Sequence, residues 1–462
     1  MRKNSALNLV WFRDDLRLAD NPALVAAMEA GPSVALYILD EQSTGIRPLG
    51  GAARWWLHHA LADLSEELAS HGVPLLLFRG EAPEIFQKLS DELDISQVHW
   101  NRRYALAERE IDAQIKSALQ NQGIEAHSHA ASLLVEPWQL SNGQNQPYKV
   151  FAAFHRQILA ATFRPVLEVP ETQAQVEFEG EPPGVKLDQL DLLPQKPDWG
   201  EKLHAWWTPG ESSAQQRLED VLANIAENYT QERDRPDREG TSRLSPALRW
   251  GHLSPVQVVT ALTKQIGQHA DPEGAAALRR QVIWREFCWH LLYHFPQMPT
   301  QNFRPEFDSM DWTRAQDDEL AAEFLSAWQS GETGYGLVDA GMLELWDTGW
   351  MHNRVRMVTA SFLVKNLGVH WKDGEQWFWD TLVDADLASN TVNWQWVAGS
   401  GTDAAPFFRI FNPELQAKKF DPQGSYVARF APLSAQPLVD LKESRAAALA
   451  AYAQIKDEKR QG

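Results

Sequence analysis

The sequence of 462 residues contains one cysteine, Cys288. A single thiol excludes an internal disulfide framework, a cysteine-rich zinc module and an iron–sulfur cluster held by cysteines. Long apolar runs are also missing, because Arg13 and Asp14 interrupt the N-terminal run before the core of a signal peptide forms. No apolar stretch reaches the length of about 18 residues that a membrane-spanning helix needs. We therefore expect a cytoplasmic protein that does not enter a membrane.

Positive charge is scarce as well, since 43 Lys and Arg stand against 62 Asp and Glu, for a formal net charge of −19. This balance excludes a broad basic surface for nucleic acid and leaves room only for a local one. Tyrosine is outnumbered by tryptophan, 8 to 20. So many large flat rings suggest that some of them have a function beyond core packing. The length allows two or three domains.

Residues 1–136 alternate short apolar runs with amphipathic stretches. This pattern is typical of a doubly wound, mostly parallel sheet with helices on both faces, so we predict a Rossmann-like α/β domain. The predicted strands are Asn8–Phe12, Val34–Asp40, Pro74–Arg79, Val98–Trp100 and Ser132–Glu136. The predicted helices lie near 22–30, 51–71, 82–93 and 105–122.

Residues 137–210 are rich in Asn, Gln, Pro, Glu and Gly and show little periodicity, which predicts a long connector over the surface. From residue 211 to 462 helical patterns dominate, and we predict an all-α C-terminal domain that contains most of the tryptophans. The predicted helices include 214–228, 254–269, 274–294, 319–330, 337–347, 350–366 and 375–388.

A candidate anion site lies at the start of a predicted helix, in the segment GTSRLSP at 240–246. Small hydroxyl residues, free backbone N–H groups and the guanidinium of Arg243 are the groups that bind phosphate. A plain helix cap by Ser245, followed by Pro246, explains the same pattern and is favoured by the motif alone.

A second candidate involves arginine among apolar residues. Asn353, Arg356 and Met357 are three and four residues apart and therefore share one helix face. A buried guanidinium needs a partner, and Asp384 and Asp386 downstream are candidates. A structural ion pair explains this pattern equally well.

A third candidate combines aromatic rings with small residues. Asn390 and Trp394 are four residues apart, so they point to the same side of a continuing helix. Trp396 is followed by the small residues 398–401, which let a large planar ligand approach the backbone. An aromatic core that ends in a glycine-rich turn is the alternative.

Two histidine pairs complete the candidates. His290 and His294 share a helix face but lack the glutamate of an HExxH motif, and His127 and His129 have no matching carboxylate or cysteine pattern. Core or interface histidines are the favoured interpretation. We predict no metal site.

Five segments together resemble the photolyase/cryptochrome family of flavoproteins. They occur in the family's order across nearly the whole chain, and the last is long enough to be highly specific. The segments are LVWFRDDLRLADNPAL (9–24), GTSRLSP (240–246), WREF (284–287), WMHNRVRM (350–357) and WQWVAGSGTDAAPFFRIFNP (394–413). The resemblance implies an antenna domain at 1–136, the connector at 137–210 and a helical FAD-binding catalytic domain at 211–462.

The resemblance implies that FAD is bound in the helical domain, and it favours the phosphate interpretation of 241–245. It places Arg356 and Asp384 beside the isoalloxazine and Asn390 at flavin N5, where an amide forms a hydrogen bond but does not readily supply a proton. Plant cryptochromes carry an aspartate at this position, and an aspartate can supply a proton. The implied flavin contacts are Tyr229, Thr241, Ser242, Arg243, Leu244, Ser245, Arg285, Trp350, Asn353, Arg356, Asp384, Asp386 and Asn390.

The tryptophans also match a family feature, a chain of rings through which an electron reaches the photoexcited flavin. The resemblance implies the order Trp394, then Trp371, then a surface tryptophan. We predict that this third member is Trp312, which matches by motif order.

The resemblance implies a pocket for a flipped cyclobutane pyrimidine dimer, surrounded by Trp284, Asn353, Met357 and Trp396. Flat rings suit stacking on extruded bases. Arg233 and Arg354 match contacts to UV-damaged DNA, and with Arg285 we expect them to form a confined basic rim with a modest salt dependence.

One substrate position departs from the family pattern. Gln281 stands where enzymes that repair this lesion usually carry Glu. Its amide can hydrogen-bond a pyrimidine carbonyl but cannot act as an acid.

The antenna site has a weaker match. Glu108 corresponds to a folate-contacting glutamate, but the neighbouring contact asparagine is replaced by Ala107. Methenyltetrahydrofolate is the expected antenna, with a deazaflavin or an empty site as alternatives.

The resemblance implies a light-driven deoxyribodipyrimidine photo-lyase, a carbon–carbon lyase that we expect to act as a monomer. A cryptochrome-type signalling photoreceptor is the alternative. A Rossmann-type enzyme with a helical cap is disfavoured, because it requires G-x-G-x-x-G after the first strand, where FRDDLRL stands.

Overall fold

The computed structural model describes residues 6–456 and the backbone of 457–461, apart from residues 170, 179, 196–197, 269–271, 404–407 and 432–434. Its N-terminal part contains a five-stranded parallel sheet with the strand order β3-β2-β1-β4-β5. The strands are β1 (Leu7–Phe12), β2 (Ser33–Leu39), β3 (Leu75–Arg79), β4 (Ile95–Asn101) and β5 (Glu125–His129). The predicted α/β class is confirmed.

Helices cover both faces of this sheet, as the continuous apolar strands predict. Val10 and Phe12 of β1 pack on one side, and Leu9 and Trp11 pack on the other. The first core includes residues of α1 (Pro22–Ala30) and α2 (Gly51–Ser70), and the second includes residues of α3 (Ala82–Glu92) and α4 (Leu106–Asn121).

The fifth strand differs from the prediction. β5 is Glu125–His129, whose sequence EAHSH has a single apolar residue because the strand lies at the sheet edge. The apolar segment Ser132–Glu136, predicted as a strand, is irregular. Leu134 is buried there against the helical part of the molecule, and its backbone N–H donates to the Glu286 carboxylate at 2.6 Å. The segment 132–136 is therefore apolar because it packs against the helical part of the molecule, and not because it forms a strand.

The described part of residues 211–462 is helical, which confirms the predicted all-α C-terminal part. Before this part, α5 (Phe151–Ala160) lies in the segment 137–210. The α-helices from residue 211 onward are α6 (Glu211–Asp220), α7 (Tyr229–Glu232), α8 (Ser245–Arg249), α9 (Pro255–Gln268), α10 (Glu273–His294), α11 (Glu319–Ser330), α12 (Gly336–Thr348), α13 (Asn353–Ser361), α14 (Trp371–Thr381), α15 (Leu387–Ala398), α16 (Pro413–Phe420), α17 (Ser425–Phe430) and α18 (Leu441–Gln461). Within the described residues, no helix has the length and apolar character needed to cross a membrane.

The predicted helix 375–388 is wrong. α14 ends at Thr381, and α15 begins at Leu387 with Asp386 as its N-cap, whose carboxylate accepts from the Ser389 N–H at 2.7 Å. Asp384 and Asp386 therefore lie in the connection between two helices. Carboxylates favour the N-cap position because they satisfy N–H groups that have no partner within the helix.

The predicted connector contributes to the helical core. Within residues 137–210, α5 buries Phe151, Phe154 and Ile158 in the same apolar cluster as Phe287 of α10. His290 is also buried in this region, and its Nε2 accepts from the Tyr148 N–H at 3.0 Å. This contact agrees with the interpretation of His290 as a core histidine.

Candidate functional site

A cavity of about 620 Å³ lies among α7, the segment 241–245, α10, α13 and α15, a size typical of ligand sites. It brings together residues that are up to 258 positions apart in the chain, from Phe151 to Arg409. The predicted flavin contacts that line it are Tyr229, Thr241, Ser242, Arg243, Ser245, Trp350, Asn353, Arg356, Asp384, Asp386 and Asn390. The predicted substrate and electron-transfer residues that line it are Arg233, Gln281, Trp284, Met357, Trp394 and Trp396.

The segment 241–245 forms the polar end of this cavity. Arg217 donates to the Ser242 carbonyl at 2.8 Å and to the Thr241 carbonyl at 3.1 Å, which fixes the backbone of the loop. Arg243 has a left-handed backbone with φ of +50°, a strained conformation that clusters at functional sites. Its guanidinium lies 5.1 Å from the ring centre of Trp350. Hydroxyls and a guanidinium at one end of a cavity are suited to an anion.

Ser245 does not cap the helix that follows it. α8 begins at Ser245, and Leu244, which is buried, occupies the N-cap position. The Ser245 hydroxyl instead accepts from the Trp350 indole N–H at 3.3 Å, on the cavity wall. The cap interpretation of this motif is therefore wrong.

Arg356 takes Asp384 as its partner. The two guanidinium nitrogens Nη1 and Nη2 donate to the two carboxylate oxygens at 3.1 and 2.8 Å, and Nε donates to the Met351 carbonyl at 2.7 Å. The Asp384 side chain is 2% exposed. This bidentate pair fixes the position of the guanidinium in the cavity wall.

Asn390 presents an acceptor to the cavity. Its Nδ2 donates to the Glu375 carbonyl at 3.0 Å and to the Glu375 carboxylate at 2.7 Å, so both amide hydrogens are used. Arg47 holds that carboxylate from the other side at 2.7 and 3.0 Å. The oxygen Oδ1 is therefore the group that Asn390 offers to a ligand.

The three tryptophans predicted for electron transfer lie in the region of α14 and α15. Trp394 packs against Gly374 of α14, where an added Cβ would approach its ring to 2.1 Å, and Trp371 begins the same helix. The His370 ring lies between Trp371 and Trp312, with ring centres 5.6 and 5.7 Å apart. Trp371 is fully buried and Trp312 is partly exposed.

The basic rim is composed differently from the prediction. Arg354 pairs with Asp234 at 2.9 Å, and Arg233 donates to the Gln281 amide oxygen at 3.3 Å. Arg285 does not line the cavity, because its guanidinium donates to the Ser132 carbonyl at 3.0 Å and lies beside a buried glutamate. It belongs to the packing of α10 on the N-terminal part.

Sequence reasoning misses several cavity residues. Arg280 and Arg409 take the place of Arg285 at the rim, the first 4.9 Å from the Phe151 ring and the second 5.6 Å from the Trp396 ring. Arg280 precedes Trp284 by one helical turn, and that spacing is a signal that could have found it. Phe151, Asn393 and Asp403 also line the cavity.

Glu108 lines a second, larger cavity of about 1030 Å³. Its walls include residues that directly follow β1, β2 and β4, the edge at which open parallel sheets bind ligands. The Glu108 carboxylate accepts from the Ala105 N–H at 3.2 Å, and burial raises its pKa. Glu375 also lines this cavity, and Asp386 lines both cavities.

The donor set of the first cavity fits FAD. Trp394 Nε1 and Arg243 Nε are buried without a partner among the described residues, and both side chains line the cavity. The hydroxyls of the 241–245 segment suit a pyrophosphate, while Asn390 and the Arg356–Asp384 pair suit the polar edge of a flavin.

Comparisons with known proteins agree with this geometry. Residues 8–173 match the DNA photolyase family, and residues 278–436 match the FAD binding domain of DNA photolyase. A deoxyribodipyrimidine photo-lyase from Agrobacterium fabrum is 46% identical over 94% of this chain and 88% of that protein. Cryptochrome-1 from Arabidopsis thaliana is 34% identical over 92% of this chain and 62% of that protein. The crystal structure of a class III photolyase from Agrobacterium tumefaciens superposes with a TM-score of 0.92, with 42% identity and 99% of each chain covered. This chain belongs to the photolyase/cryptochrome family.

Proposed function

We propose that this protein is a light-driven deoxyribodipyrimidine photo-lyase that splits cyclobutane pyrimidine dimers in UV-damaged DNA. One observation carries this function: a single cavity is lined both by flavin-type polar groups, Arg356 and Asn390, and by the rings of Trp284 and Trp396 at its mouth. When bound, reduced FAD supplies the photoexcited electron that opens the cyclobutane ring, and this electron returns after the ring has opened.

The residues of the chain bind and orient the two reaction partners. The 241–245 segment holds the anionic part of the cofactor, and the Arg356–Asp384 pair orients its polar edge. Trp284 and Trp396 stack on the extruded bases and exclude water from them. Gln281, whose oxygen accepts from Arg233, supplies hydrogen bonds to a base carbonyl and no acid.

Repair is favoured over signalling by Asn390. Its side chain offers only an amide oxygen to the cavity because Glu375 takes both amide hydrogens. Asn390 would therefore deliver no proton to a bound flavin, which favours the reduced form that repair requires. A dimer-containing oligonucleotide with the reduced protein should lose its dimers in blue light and keep them in the dark. Dimers that persist in both conditions, with reduced FAD bound, support the cryptochrome alternative.

We expect Arg354→Ala to weaken binding of damaged DNA. The negative slope of log K against log salt concentration should become shallower by about 0.9, the value for one phosphate contact. Arg354 does not itself line the cavity, but it follows Asn353, which does, and its guanidinium pairs with Asp234 at 2.9 Å. Fluorescence anisotropy at several salt concentrations measures both quantities. The matched variant Asp234→Asn removes the competing carboxylate, so it should tighten binding. An unchanged salt slope in Arg354→Ala contradicts a phosphate contact.

We expect Trp312→Phe to slow photoreduction of the bound flavin several-fold, because phenylalanine is much harder to oxidise than tryptophan. The proposed order is Trp394, Trp371 and Trp312, with the His370 ring between the last two. Flavin absorbance under blue light with an external thiol measures the rate. The control is Trp138→Phe, which changes an exposed tryptophan that is not part of the proposed electron-transfer series. An undiminished rate in Trp312→Phe excludes it as the third member.

We propose methenyltetrahydrofolate as the antenna, bound in the second cavity with Glu108. Buried arginines and aromatic rings, including Arg13, Tyr37 and Trp11, share this cavity and suit a planar, partly anionic chromophore. The absorbance of the chromophore released from purified protein distinguishes a folate from a deazaflavin and from an empty site. We further propose that the protein acts as a monomer in the cytoplasm, which size-exclusion chromatography and cell fractionation test.

A further inference from the structure

Asn393 bridges two elements at the mouth of the first cavity. It lies on the exposed side of α15, and its Nδ2 donates to the Ser389 carbonyl one turn earlier at 2.7 Å. Its Oδ1 accepts from the indole Nε1–H of Trp284, on α10, at 3.0 Å. If the amide oxygen and nitrogen were exchanged, the oxygen would face the Ser389 carbonyl, and the NH2 group would face the indole N–H of Trp284. The two contacts therefore define the amide orientation together.

Trp284 is constrained on its other sides by aromatic rings. Phe151 of α5 packs edge-on with ring centres 4.7 Å apart at an angle of 65°, and Phe287 lies 5.6 Å away. The indole itself is only half-buried, because one side faces the cavity. Apolar contacts leave the ring some freedom to rotate, whereas a hydrogen bond at Nε1 fixes the direction of its plane.

We propose that Asn393 is a positioning residue for lesion recognition, which holds the indole of Trp284 in the orientation that stacks on an extruded pyrimidine. This role rests on the function proposed above, since Trp284 matters here as a stacking surface. A ring that is already oriented loses less conformational entropy when the damaged bases enter, so the hydrogen bond increases affinity for the lesion. Undamaged duplex, whose bases remain stacked, does not use this surface.

A double-mutant cycle tests this role. Asn393→Leu removes the acceptor while keeping the branch at Cγ, and Trp284→Phe removes the indole N–H while keeping an aromatic ring. Loss of one such hydrogen bond should raise the dark Kd for a dimer-containing oligonucleotide by about three- to tenfold in Asn393→Leu. In the Trp284→Phe background, the same substitution should have no further effect. Asn121→Leu, at the exposed end of α4, is the matched control and should bind like the wild type.

Indole NMR adds a readout that a general structural effect would not produce. The Trp284 Nε1–H resonance, assigned by its loss in Trp284→Phe, should shift in Asn393→Leu while the thermal unfolding temperature stays near that of the wild type. Equal losses of affinity from Asn393→Leu with Trp or Phe at position 284, or an unshifted indole resonance, would overturn this role. A wild-type protein that does not repair dimers in light overturns the proposed function instead, while the coupling between Asn393 and Trp284 remains measurable.

Discussion

Arg356→Ala should purify almost free of flavin. The substitution removes the bidentate partner of Asp384, whose side chain is 2% exposed. Breaking a buried ion pair by removing one partner costs about 3–5 kcal/mol, which corresponds to at least a hundredfold loss of affinity if the cost falls on the bound state. The ratio of flavin absorbance to protein absorbance after purification measures this loss.

Two further variants separate loss of binding from loss of folding. Arg356→Lys keeps the positive charge but loses the planar guanidinium, so its flavin content should lie between those of the wild type and Arg356→Ala. Asp384→Asn keeps the volume and leaves the guanidinium without its carboxylate, so it should also bind weakly. Far-UV circular dichroism checks that each variant is folded. A folded Arg356→Ala protein with a full complement of flavin contradicts the assigned role of this pair.

Asn390→Asp should change the redox behaviour of the bound flavin. In the wild type, Nδ2 of Asn390 lies 2.7 Å from the Glu375 carboxylate, and an aspartate there places two carboxyl groups together. Like charges at that distance cannot both remain ionised, so the pair keeps a proton and the pKa of the new carboxyl is raised above its ordinary value. The group facing the cavity then becomes an acid in place of an amide oxygen.

Absorption spectra recorded after illumination with a thiol reductant measure this change. The variant should accumulate less fully reduced flavin than the wild type, and repair should fall with it. A raised pKa keeps the proton at neutral pH and releases it as the pH rises through that value, so alkaline buffer should restore wild-type behaviour. Asn390→Asp combined with Glu375→Gln removes the second carboxylate and should lessen the effect. Identical spectra for Asn390→Asp and wild type at every pH contradict the proposed role of Asn390.

β1 and β2 are predictable because each contains a continuous apolar run, whereas β4, with the sequence ISQVHWN, is predicted only over Val98–Trp100. β2, with the sequence SVALYIL, is buried throughout. β5 is hidden because an edge strand needs few apolar residues, while Leu134 nearby is apolar for packing against the helical part. The break between α14 and α15 is hidden because helical periodicity continues through the connecting segment, although α14 ends at Thr381 and α15 begins only after its N-cap, Asp386.

The site is predictable where a motif carries it and not where distant segments meet. Thr241, Arg356 and Asn390 line one cavity, as the family resemblance implies. Arg285 is an arginine within a matching motif, as Arg356 is, but its side chain does not reach the cavity. The Ser132 carbonyl and the buried carboxylate of Glu286 bind its guanidinium instead. Asn393 belongs to no motif that predicts its role, and its contact with Trp284 arises only because α15 approaches α10.

In the proposed reaction, the reduced cofactor would supply an electron to the dimer in light and recover it after the dimer has split. A single flash given to the anaerobic, reduced protein with a dimer-containing oligonucleotide tests this most directly. We expect the dimers to disappear while the flavin spectrum before and after the flash is the same. Dimers that persist, or dimers lost with a matching amount of oxidised flavin, would contradict it.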